Sequence, residues 1–138
     1  MLGVATVGHG GGPPTDAEYS DEVAYVLHCA GCHKEDGRGA DPIVPSLQKS
    51  LGRIVQVDGG REYLVRVPGA AQAPVTDRQL AAILNYILIQ FNAETLPADF
   101  DPLSTAEVTN VRQKDLSDPL SERRRLWERV LVLKPSNL

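Results

Sequence analysis

Between residues 76 and 91 apolar positions return every three or four residues, so that Leu80, Ile83, Leu84, Ile87, Leu88 and Phe91 share one broad face. Thr76 precedes the run, Gln79 follows three residues on, and Asp77 occupies the first turn, which predicts a capped amphipathic helix opening at Thr76. Tyr19, Val23, Val26, Leu27 and Ala30 repeat the same period behind a Thr15/Glu18 capping pattern, predicting a helix from about Asp16 to about Ala30. Two more helices are predicted near the C-terminus. Ser104 caps one that runs to about Gln113, and Asp118, with Pro119 at the first helical position, starts another to about Leu133.

The segments between are less regular. Lys34 to Pro45, rich in Gly, Asp and Pro, reads as loop, and Pro45 to Arg53 holds a short helix with Leu47 and Leu51 on one face. Ile54 to Val57 and Gly59-Gly60 read as an irregular stretch closed by a turn. Arg61 to Val67 is either one further helical turn or an extended piece, stopped by Pro68-Gly69. No strand pattern or repeat competes with these helices. The expected fold is mainly α.

Composition narrows the function. A chain of 138 residues has room for one compact domain and some extra chain, and 42% hydrophobic with 23% charged residues is a globular balance. A net charge of −4 without a basic stripe argues against nucleic acid as a partner. The apolar run Ala81–Ile89 is broken by Asn85 and is too short for a bilayer, so no transmembrane segment is expected. Residues 1–14, ending in Gly-Gly-Gly-Pro-Pro, read as a flexible leader. They lack the layout of an intact signal peptide, as expected where a signal is absent or has been removed.

The two cysteines, Cys29 and Cys32, stand directly before His33, and Cys-x-x-Cys-His is the haem c attachment pattern. Two thiols one helical turn apart can add to the two vinyl groups of one porphyrin, and the adjoining imidazole then supplies the proximal iron ligand. A zinc site of Cys29, Cys32, His33 and His9 lacks the second tightly spaced ligand pair that structural zinc normally draws. A thioredoxin-type site should open a helix within a βαβ unit, whereas this motif closes one. Two merely buried thiols would not call for the neighbouring histidine.

Over roughly residues 15–92 the chain resembles the class I c-type cytochromes. The resemblance rests on the helix ending Tyr25-Val26-Leu27-His28-Cys29-Ala30-Gly31-Cys32-His33, on Lys34-Glu35-Asp36-Gly37-Arg38-Gly39, on Pro45-Ser46-Leu47, and on the helix from Thr76 to Phe91. It implies that the first and last of these helices cross and enclose one covalent haem, that His33 binds the iron, and that Pro45 sits near the His33 ring. Arg38, Arg61 and Arg66 are candidates for the haem propionates, because a guanidinium matches a carboxylate bidentately. His28, beside the anchor, is poorly placed for the far side of the iron.

Two departures from the family stand out. Most members place a methionine on the sixth iron position from the loop before the last helix, but the chain's single methionine is Met1 and the loop reads Val67-Pro68-Gly69-Ala70-Ala71-Gln72-Ala73-Pro74-Val75. The expectation is a vacant or water-bound sixth position, with His9 and then Gln72 as the next candidates, ahead of His28, Lys49 and Asn85. The second departure is the tail, residues 93–138, whose 8 acidic and 7 basic residues make it nearly neutral. Leu126, Trp127, Val130, Leu131 and Leu133 form an apolar stripe opposite Arg123, Arg124, Arg125 and Arg129. That stripe either packs on the domain's own core or docks a redox partner or a second copy in a homodimer.

The sequence thus points to a periplasmic monohaem cytochrome, divided into a leader (1–14), a cytochrome domain (15–92) and a helical extension (93–138). Its expected work is single-electron transfer between a dehydrogenase and a respiratory acceptor, the redox partner being a dehydrogenase or an oxidase. Two other readings stay open: a haem with an open sixth position that binds small ligands or has peroxidase-like activity, and the cytochrome subunit of a larger dehydrogenase. No acid–base pair is evident beside the iron, which favours the carrier.

Overall fold

The computed structural model describes residues 19–133. Eight helical segments follow one another: α1 (Asp21–His28), α2 (Ala30–His33), α3 (Ser50–Ile54), α4 (Gly60–Arg66), α5 (Pro68–Ala71), α6 (Asp77–Asn92), α7 (Thr105–Val111) and α8 (Pro119–Leu131). The only β-type pairing among the described residues is an isolated bridge between Ala40 and Val44. The mainly helical fold agrees with the expectation.

Several boundaries differ from those predicted. The first helix begins at Asp21, with the Ser20 side chain accepting from the Val23 N–H, and ends at His28 rather than Ala30. The Thr15/Glu18 pattern, and with it residues 1–14, lies outside the described residues. The helix predicted from Pro45 starts only at Ser50, because residues 45–47 are drawn back along the preceding loop by the Leu47 N–H on the Gly37 carbonyl, 2.7 Å. Arg61–Val67 resolves as helix, and Pro68, at a first helical position, adds the single turn α5 within the segment expected to be loop. The helix at Thr76 forms as predicted, its cap hydroxyl accepting from the Gln79 N–H.

The face of α1 is also corrected. Tyr19, Val23, Val26 and Leu27 remain exposed, whereas Ala24 and Tyr25 are buried. Tyr25 is what turns the helix: its ring lies 5.7 Å from that of Tyr86 and 5.3 Å from that of Phe91, both on α6, and its hydroxyl donates to the Lys34 carbonyl at 2.6 Å. The small Ala24 one position earlier leaves α1 room to lie against α6. Burial pushes the Tyr25 hydroxyl up to about 12, so it stays a donor at neutral pH.

Helix α6 is the central element and contacts α1, α3, α4 and α7. Its Leu80, Ile83, Leu84, Ile87 and Leu88 are buried, as the periodicity required. Asn92 at its end is fully buried and satisfied. It accepts from the Gly52 N–H and donates to the Leu47 and Ile87 carbonyls, so α3 and the segment after Pro45 are held to α6 by one side chain.

The tail packs on this core. Leu103, Val108, Val111, Leu126 and Val130 are buried in the same apolar cluster as α6. The predicted stripe is therefore split: Leu126 and Val130 are spent inside, Trp127 and Leu133 lie at the margin, and Leu131 faces solvent. Two ion pairs fasten α7 to the core. Arg61 on α4 grips Glu107 with two nitrogens, at 2.8 and 2.9 Å, and Arg112 reaches Asp77 at 2.9 Å. Glu107 also closes a capping box with Ser104.

These pairs carry a pH dependence. The Arg112 hydrogen bond first, then that of Thr109, holds Asp77 below its ordinary value of 3.8, and the Arg61 hydrogen bond chiefly holds Glu107 below 4.5. A carboxyl with a lowered folded value stabilises the fold above its ordinary value, and that contribution disappears as pH falls through the folded value. Denaturation midpoints should therefore fall on acidification from about pH 4.5 downward, and less steeply in D77N and E107Q than in the parent. Superimposable acid profiles would refute the coupling.

Candidate functional site

Cys29 stands at the junction of α1 and α2, and Cys32 lies within α2. The Cys29 N–H closes α1 on the Tyr25 carbonyl at 2.8 Å, and the Cys29 carbonyl accepts from Cys32 at 3.3 Å and from His33 at 3.0 Å. The helix is thus interrupted at Cys29 and resumed for one turn, which sets the two thiols and the imidazole within five residues of a single tight turn. Cys29 is half-buried and Cys32 exposed, and neither is in a disulfide. Burial pushes the Cys29 thiol up to about 11.

The loop after the motif folds back over it. Lys34 adopts φ +67°, Gly37 donates to the Lys34 carbonyl, and Gly39 donates to the His33 carbonyl at 2.9 Å. Gly39 has to be glycine. Its φ is +71°, and a Cβ there would come within 2.8 Å of the Pro45 carbonyl oxygen. This close approach holds the Pro45 carbonyl against Gly39, which itself bonds to the His33 carbonyl. Further ties hold the loop: Gln48 donates to the Asp36 carbonyl and Ser46 to that of Gly37.

His33 is half-buried, and its Nδ1 is buried without a hydrogen bond of acceptable geometry. Desolvation lowers its pKa, the Pro45 backbone works in the opposite direction, and the positive charge of Arg123 lowers it further. The imidazole is therefore biased toward its neutral form, the form that binds a metal. Arg53 is the only other residue among those described with a buried, unpartnered side-chain nitrogen, at Nε. A neutral imidazole on the same turn as two thiols, with a partly buried guanidinium left unpaired, suits a covalently held haem with anionic propionates.

Other predicted residues are placed less favourably. Arg61 is committed to Glu107 and the Asp101 carbonyl, Arg66 to the Lys114 and Asp115 carbonyls, and Arg38 pairs with Asp36 in solvent. Among the sixth-ligand candidates, His9 lies outside the described residues and Gln72 is exposed just after α5. Lys49 is ion-paired with Glu94 at 3.4 Å. Asn85 spends both ends of its amide on the Leu103 backbone, and His28 is half-buried in the last turn of α1. No group of three or more His, Cys, Asp or Glu converges to hold a metal ion among the described residues.

Arg53, Arg112 and Arg123 were not singled out as site residues from the sequence. Arg112, from the tail, donates to the Ala71, Ala73 and Val75 carbonyls as well as to Asp77, pinning the whole segment where the family's methionine loop would lie. Nothing local marks it, since its partners are 35 to 41 residues away. Arg123 stood in the run Arg123–Arg125 on the supposed polar face, and runs of like charge read as solvated.

No family model matches the chain. Among curated proteins it is similar to cytochrome c-552 of Thermus thermophilus, with 29% identity over 127 residues covering 78% of this chain and 97% of the relative. It is likewise similar to a second cytochrome c-552 of the same species, with 29% identity over 127 residues covering 78% of this chain and 86% of that protein.

Proposed function

We propose that this chain, a class I c-type cytochrome by its helical fold and its relatives, carries single electrons in the periplasm between a dehydrogenase and a respiratory acceptor. Its cofactor is haem c with its iron, and its role lies in electron transfer. When bound, the haem supplies a one-electron ferric/ferrous couple. Cys29 and Cys32 would form the thioether anchors, His33 would bind the iron, and Pro45 would lie near the His33 ring. Arg53, whose Nε is buried without a partner, would be a candidate to meet a propionate.

The observation that carries this reading is the turn from Cys29 to His33, folded under the loop that ends at Pro45. Cys29 and Ala30 pack against the apolar core, so the Cys29 end of the turn is partly screened from water, which tunes the potential of any redox group held there. The 29–33 turn, in an extracytoplasmic setting, is also what the attachment chemistry requires.

A second reading concerns the sixth position. Asn85 and Lys49 are occupied and Gln72 is exposed, and Arg112 ties down the segment around Gln72. These placements favour an open or water-bound iron that takes small ligands. Absorption spectra of both oxidation states, with and without cyanide or imidazole, test both readings. A chain that takes up electrons reversibly and binds cyanide readily in the ferric state supports the carrier with an open site. A sulfur-to-iron near-infrared band that persists after replacement of Met1 would overturn the open site, and failure to cycle between oxidation states would overturn the carrier.

A further inference from the structure

We propose that Arg123, delivered by the C-terminal helix α8, raises the reduction potential by holding a fixed positive charge beside His33. The inference rests on the reading of His33 as the iron ligand. Arg123 comes from a helix far beyond the motif in the chain, yet its guanidinium donates to the Ser46 carbonyl at 3.2 Å and to the Ser50 hydroxyl at 2.8 Å. Ser46 directly follows Pro45, whose carbonyl lies against Gly39, and Gly39 donates to the His33 carbonyl, so two anchoring bonds hold the cation on the loop that folds back over the turn ending at His33.

Two features make the charge effective. The partners of Arg123 are neutral, a carbonyl and a hydroxyl, and no carboxylate among the described residues forms an ion pair with it. Arg61 and Arg112, by contrast, are each compensated by a carboxylate. The guanidinium is also partly buried, where charge is screened less than in open solvent. Reduction adds one electron to the group bound at His33 and so lowers its charge by one. A nearby fixed cation stabilises the reduced form over the oxidised form. The neighbouring Arg124 supplies the contrast, for it is exposed and bonds only to the Ser121 hydroxyl on its own helix.

The test is the midpoint potential of the full-length holoprotein, after intact mass has established that haem is covalently attached. R123Q should shift the reduced-to-oxidised ratio at a fixed poise toward the oxidised side by about tenfold, which for one electron is ~59 mV. R123K keeps the charge and should stay near the parent value, while R124Q should move it far less than R123Q. If Arg123 served only to brace α8, R123Q and R123K would lower the melting temperature together and leave the potential in place, and that result overturns the proposal. Equal shifts in R123Q and R124Q would overturn it as well, because overall charge alone would then account for them. Absence of covalent haem in the parent would instead reject the reading of the motif.

Discussion

Removal of residues 104–138 should unfold the protein rather than release a free haem-binding core. The deletion takes away Val108, Val111, Leu126 and Val130, all buried in the apolar cluster that α6 organises. At ~1.5–3 kcal/mol for each fully buried side chain of this kind, the loss is on the order of 6–12 kcal/mol. Domains of this size are stable by only about 5–15 kcal/mol in total. The deletion also strips Arg61 of Glu107 and leaves Asp77 and the 71–75 carbonyls without Arg112. Circular dichroism melts of the truncated and full chains decide the matter. A truncated chain that still melts cooperatively within a few degrees of the parent would show that the tail is dispensable to the fold.

Replacing both motif cysteines, as C29A/C32A, should abolish covalent haem altogether. Thioether formation needs one thiol per vinyl group, and the chain holds no cysteine besides these two. Denaturing mass spectrometry of the parent, expressed with a haem-attachment system, should give the chain plus one haem, and the double variant the bare chain. The single variants separate the two anchors: C29A removes the half-buried thiol and C32A the exposed one, and each should retain at most one thioether. Haem that survives denaturation in the double variant would remove the motif from the site.

Much of this was legible in the sequence because the signals are local. The Cys29–His33 spacing is a statement about one helical turn. The Thr76 cap, the Ser104 cap and the period of α6 are complete within about 16 residues each, so element type followed from residues that touch in any helix of that sequence. The resemblance put Pro45 near the His33 ring, and what the structure adds is Gly39, whose positive φ and lack of room for a Cβ let the Pro45 carbonyl come close.

Tertiary structure decided the rest. An amphipathic period reveals that a helix has an apolar side, but not which neighbour receives it. On α1 the aromatic contacts of Tyr25 with Tyr86 and Phe91 won over the stripe of Tyr19, Val23, Val26 and Leu27. The tail is the larger case. Its sequence left open whether it packs or docks, because Leu126 and Val130 would look the same in either event. Packing against α3 and α4 chose the interior for them. The arginines follow the same rule. A guanidinium takes its role from the acceptors it reaches, and those of Arg61, Arg112 and Arg123 lie 35 to 77 residues away in the chain. The sequence by itself therefore determined the helices and marked the Cys29–His33 turn, since short-range geometry suffices for both. Which charges pin the loops and which one stands beside His33 depended on contacts that only the folded chain creates.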